Sequence, residues 1–100
     1  MAPIAARKSR LVLQNTARVV ACELVAAAQA VEFRVAAGGG AAKAGPGAGA
    51  TALLAAVRSR VPHVDEDRPL GDAIEALSHE ILGGAFDPVL LPHLGEGVRA

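Results

Sequence analysis

PIAARKSRLVLQNTARVVACELVAAAQAVEFR, residues 3–34, is the stretch whose reading decides the fold. It contains no glycine, and its single proline, Pro3, stands first, where a helix tolerates the ring because the missing N–H would have had no intrahelical partner. The stretch therefore reads as one long helix. At about 1.5 Å per residue it would extend roughly 48 Å, whereas a compact domain of this size has a radius of gyration of only about 13 Å. An element this long outgrows the globule its own chain can build, so the expectation is a helical piece of something larger.

The spacing of its apolar residues points the same way. Leu13, Val20, Leu24 and Val31 follow at steps of seven, four and seven and share one stripe. Ile4, Leu11, Cys22 and Phe33, with Val19 and Ala26 beside them, form a second stripe nearly opposite. Two apolar faces need two sets of partners, as in the interior of a helical bundle, and Ala5, Ala6, Ala17, Ala21 and Ala26 to Ala28 would permit close approach. A monomeric three-helix domain with an untidy surface is the plainer alternative.

Beyond this helix, VAAGGGAAKAGPGAGA (residues 35–50) carries six glycines and a proline and reads as a flexible loop. Its GPGAGA lacks both the preceding strand of a dinucleotide fingerprint and the terminal Gly-Lys-Ser/Thr of a phosphate loop. Thr51 can cap a second helix running to about Arg60, with Leu53, Leu54 and Val57 on its buried face, and Pro62 stops it. A polar connector, residues 63–70, leads to a third helix from about Asp72 to Leu82, where Ile74, Leu77 and Ile81 recur at helical spacing and Gly83 and Gly84 can end it. The tail carries at most a short turn around Val89 to Leu91. The fold class is all-α: a long bundle helix (1–34), a Gly/Ala-rich loop (35–50), then two shorter helices and an irregular tail (51–100), together one incomplete domain.

Composition narrows the function classes. The apolar fraction is 52%, but much of it is alanine and the only aromatics are Phe33 and Phe86, so helices should form more readily than they pack into an isolated core. Ten basic and ten acidic residues cancel, with no aromatic-studded basic patch, which argues against nucleic acid as a partner. Cys22 is the sole cysteine, so no internal disulfide can form and a reducing cytoplasm is the natural compartment. Arg7, Lys8 and Arg10 interrupt any signal-peptide reading, and Glu23, Gln29 and Glu32 break a transmembrane one.

No catalytic, cofactor-binding or metal-binding residue emerges from the residues themselves. Asp65, Glu66 and Asp67 lack the alternating oxygen ligands of a calcium loop and read as a solvated turn. His63, His79 and His93 lack zinc-ligand spacing and read as surface or interface histidines. Cys22 on its apolar stripe reads as a packing residue, since desolvation disfavours a thiolate. Ser9, Ser59 and Ser78 have no neighbouring His and acid in a recognisable order.

A family likeness does emerge. Ala5-Ala6-Arg7-Lys8, Asn15, the run from Val20 through Ala30, and Glu32-Phe33-Arg34 resemble the C-terminal region of the aromatic amino acid lyase family, the histidine ammonia-lyases above all. Val57-Arg58, Val61-Pro62, Asp65-Glu66-Asp67-Arg68-Pro69-Leu70 and Asp72-Ala73-Ile74-Glu75 follow in the same order, so the likeness spans nearly the whole chain.

The resemblance implies a mechanism centred elsewhere. These enzymes form an electrophilic methylidene-imidazolone from an internal Ala-Ser-Gly, capture the amino acid and expel ammonia as a base removes a β-proton. This chain contains no Ala-Ser-Gly. The family's glutamate lies in Glu-Asp-His-Val-Ser-Met directly ahead of the long helix, and Met1 resembles the last residue of that stretch. No catalytic residue therefore carries over, and Arg7 and Lys8, nearest to the active site by this likeness, receive no role. The implied part is a long helix in the central bundle of a homotetramer, in a fragment inactive alone, whose partner is a further copy or the remainder of a parent lyase that converts histidine to urocanate. The alternative is a free-standing helical protein that self-associates without catalysis.

Overall fold

The computed structural model describes residues 2–39 and 45–95. Parts of the expected glycine-rich loop (residues 40–44) and of the expected tail (96–100) lie outside the described residues. The described residues are helical without a strand: α1 (Ala2–Ala37), α2 (Ala48–Arg58), α3 (Gly71–Leu82) and α4 (Asp87–Leu90), the last running into a 3-10 turn at Leu91–His93.

α1 is 36 residues long. Its alanines and its freedom from internal glycine and proline favour helix, and Arg34 in the last turn faces the negative end of the helix dipole. The helix runs three residues past Arg34 and stops at Gly38, whose φ of 71° is open to glycine without strain and whose N–H bonds Val35 O at 3.2 Å. The molecule measures 57 × 39 × 20 Å with a radius of gyration of 16.1 Å, so α1 sets its long dimension.

α2 begins earlier than Thr51. Gly47 stands at its N-cap, and Thr51 lies inside the first turns with its N–H and Oγ1 both on Gly47 O, each at 2.9 Å. Part of the sequence expected as loop is therefore helix, because Ala48 and Ala50 outweigh Gly49. Gly49 is tolerated for a packing reason: a β-carbon there would meet His93 Cβ at 3.3 Å, so α2 can touch the tail closely. The second helix ends at Arg58, with turns carrying the chain to Val61. The tail is more ordered than a single short turn, since α4 and the 3-10 turn follow one another through Pro88 and Pro92, each in a first turn where proline fits.

α3 lies along α1, while α2 touches both α1 and α4. The buried core consists of Ala21, Val25 and Ala28 from α1, Val57 and Val61 around the end of α2, Leu77 from α3, and Phe86. Leu24, Leu53, Leu54, Ile74 and Ile81 pack around it half-buried. At the α3 end, Phe86 carries the Arg60 guanidinium over its ring, 4.8 Å from the centroid, and Arg60 also pairs with Glu80.

Candidate assembly surface and connector cluster

The face that α1 turns to its own chain is neither of its two apolar stripes. Ala17, Ala21, Val25 and Ala28, at steps of four, four and three, are the buried residues of α1. At about 100° per residue this row lies between the two stripes, so α3 and α2 cover the strip separating them. Ala17, Ala21 and Ala28 do permit close approach, whereas Ala5, Ala6, Ala26 and Ala27 are exposed. The stripes flank the covered strip. On one side Leu24 and Val31 are half-buried while Leu13 and Val20 are exposed. On the other, Ile4, Leu11, Val19, Cys22, Ala26 and Phe33 are all exposed. Every residue from 2 to 13 is exposed, so the first third of α1 projects beyond the α2–α3 layer.

Each flank holds an apolar groove. Leu24, Ala28 and Val31 form one with Leu53, Leu54 and Val57, enclosing about 150 Å³. Cys22, Val25 and Ala26 form the other with Val64, Leu70 and Ile74, about 320 Å³. Cys22, expected in packing, is exposed along this second groove, where no described residue covers it.

Two polar sets fix the layer on α1. Arg18 grips Glu75 with two parallel bonds, Nε to Oε2 and Nη2 to Oε1, both 2.9 Å, and reaches Asn15 Oδ1 at 2.9 Å. These bonds lower the Glu75 pKa and raise that of Arg18. At the other end Glu32 receives Arg58 Nε at 2.8 Å and His63 Nδ1 at 2.9 Å. The hydrogen bonds from Arg58 first, and from His63 second, pull the Glu32 carboxyl down to about 2. Gln29 joins this cluster through Val64, and Phe33 meets the His63 ring edge-on at 5.6 Å.

The remaining candidates stay apart. Asp65, Glu66 and Asp67 are exposed, with Asp65 3.8 Å from His63. His79 faces Glu75 at 3.6 Å and His93 lies against Gly49. Ser59 and Ser78 bond the nearby carbonyls Ala56 O and Glu75 O, each at 2.7 Å, and Ser9 is exposed. Among the described residues no group of three His, Cys, Asp or Glu could hold a metal, and no helix is long and apolar enough to cross a membrane. Arg7 and Arg10 line a shallow hollow with Pro3 and Ala6 on exposed α1. Among the described residues the arrangement holds helices together.

The sequence profile of the aromatic amino acid lyases matches residues 1–59. The chain belongs to the aromatic amino acid lyase family. It is 42% identical over 86 residues to the histidine ammonia-lyase of Aromatoleum aromaticum, 86% of this chain and 15% of that protein. It is 35% identical over 96 residues to that of Natranaerobius thermophilus, 96% of this chain and 18% of the relative. The Myxococcus xanthus histidine ammonia-lyase is 40% identical over 84 residues, 84% and 15% of the two chains. The chain thus spans less than a fifth of the length of these relatives and corresponds to a segment of a histidine ammonia-lyase-like protein. No solved structure matches it. The sequence of this segment contains no Ala-Ser-Gly.

Proposed function

We propose that this chain is the C-terminal bundle segment of a histidine ammonia-lyase-like enzyme, structural in its role and inactive alone. In the complete enzyme the reaction is non-oxidative elimination of ammonia from L-histidine to give urocanate, a step of histidine catabolism in the cytoplasm, with the methylidene-imidazolone electrophile supplied by residues outside this chain. α1 contributes a long helix to the core of a homo-oligomer, and its two stripes take up neighbouring helices. The observation that carries the reading lies in the N-terminal half of α1, where Ile4, Leu11 and Val19 on one stripe and Leu13 on the other are each at least half exposed, whereas Leu24 and Val31 further along are partly covered by α2. Exposed apolar residues that recur along a helix face mark an interaction site.

Incubating the purified chain with L-histidine and following urocanate absorbance is expected to give no turnover; turnover by this chain alone would sink the inactivity claim. The same exposed stripes also favour a second reading, a non-catalytic helical protein that self-associates. Translating the DNA ahead of the Met1 codon separates the two. An open frame encoding Glu-Asp-His-Val-Ser, with Ala-Ser-Gly further upstream, supports the lyase segment, and a stop codon with a ribosome-binding site supports the independent protein.

A further inference from the structure

One stripe of α1 reads nearly the same from either end. From Ile4 it places Leu11 and Asn15 at steps of seven and four; counted back from Phe33, it places Ala26 and Cys22 at the same two steps. The midpoint falls between Arg18 and Val19, and Val19 lies on the stripe too, 56% exposed. At about 100° per residue these seven positions fall within about 80° of one another, and all seven are exposed. A face with this symmetry can pack on a copy of itself turned end for end. Ile4 then meets Phe33, Leu11 meets Ala26 and Asn15 meets Cys22. The groove of about 320 Å³ beside Cys22, Val25 and Ala26 opens at the level where Leu11 of a second copy arrives, so a large side chain is set against a small one. Pairing in the same direction would put every residue on itself, Ala26 on Ala26 and Phe33 on Phe33, and leave that groove unfilled.

Charge selects the same direction. Residues 2–22 carry Arg7, Lys8, Arg10 and Arg18 and no acid, and Arg18 is already held by Glu75. Asp65, Glu66 and Asp67 are exposed on the α2–α3 connector, which the Gln29 amide ties to α1 through both backbone groups of Val64. Within one copy Arg7 and Gln29 stand 22 residues apart, about 33 Å along the helix, so the basic arm and the acidic turn cannot meet. Turned end for end, Arg7 and Lys8 come level with Ala30 and Gln29 of the second copy. Arg7 lies on the side of the stripe nearer the connector, and a two-fold axis across the pair keeps that side common to both copies. We propose that this stripe docks a second copy of the chain antiparallel, with the two-fold axis between Arg18 and Val19 and with Arg7 and Lys8 of each copy over residues 65–67 of the other. The proposal rests on α1 serving as an assembly helix and adds the face, direction and register. The apolar contacts supply the affinity, and the exposed charge pairs fix the orientation.

The test uses the full chain carrying Cys22→Ser, with new cysteines at exposed positions of α1 and helical content checked by circular dichroism. Under mild oxidation Val19→Cys is expected to give a disulfide-linked dimer, because beside the axis equal positions of the two copies come within the roughly 4–7 Å between α-carbons that a disulfide spans. Ile4→Cys mixed with Phe33→Cys should give the mixed dimer. Each alone should stay unlinked, since its equal positions lie about 43 Å apart. Arg7→Glu with Lys8→Glu should weaken association about tenfold in sedimentation at low salt, and adding Asp65→Lys with Asp67→Lys to the same chain should restore it. The register is overturned if the Ile4→Cys chain links to itself, if Val19→Cys stays unlinked in a chain that does self-associate, or if the charge exchange fails to restore association. A monomeric unaltered chain overturns the register together with the bundle reading, so the two failures are told apart.

Discussion

Glu32 collects the Arg58 guanidinium and the His63 ring on one carboxylate oxygen, and that is why its carboxyl is held at about 2. A folded-state value below the unfolded one of about 4.3 means that the unfolded chain binds the proton more readily. The Glu32 contribution is therefore complete above the unfolded value and lost as pH falls from there toward about 2. Urea unfolding followed across that interval should show stability declining with acid, and Glu32→Gln should flatten the part of the decline due to this residue. Leu77 makes a different kind of contribution. It is among the largest fully buried side chains, packed in the core that joins α3 to α1, so Leu77→Ala should cost about 2–5 kcal/mol in a denaturant melt. Leu77 was legible in the sequence because its spacing with Ile74 and Ile81 marks a helix face. The Glu32 cluster was not, because Gln29 and Val64 stand 35 residues apart and Glu32 and Arg58 stand 26 apart, with no local periodicity linking them.

α1 packs Ala17, Ala21 and Ala28 inward and displays many of its larger side chains, such as Ile4, Leu11, Leu13 and Phe33, which inverts the usual arrangement of a surface helix. Small residues let α3 come close, and Ala21 is fully enclosed at 0% exposure. Ala21→Leu should force α3 away and cost about 1–3 kcal/mol, read as a lower thermal midpoint, whereas Ala27→Leu on exposed α1 should change it little. The existence and order of α1, α2 and α3 followed from glycine, proline and apolar spacing, whereas α4 stands where at most a short turn was expected. Which strip of α1 faces inward did not follow, because the large residues that dominate a periodicity count belong here to the outer faces. The start of α2 at Ala48 was hidden by Gly47 and Gly49, since glycine marks a cap, a loop and a close contact alike.

At the scale of the whole molecule the exposed apolar residues of α1 should govern solution behaviour. Sedimentation at micromolar concentration should show self-association, and Leu13→Glu with Val20→Glu should shift the population toward monomer while helical content by circular dichroism stays near that of the parent chain. A well-folded monomer of the unaltered chain would count against both the bundle segment and the self-associating protein. Membership of the lyase family was legible in residue order across most of the chain. The projecting first third of α1 is also a lever. From Ala17, the first buried residue, to the start of the helix is about 22 Å, so tilting the α2–α3 layer by a few degrees sweeps Arg7 and Lys8 through an ångström or two. Whatever grips that arm is thereby coupled to the seating of α3, and small repacking at the alanine seam becomes a positional signal at the far end.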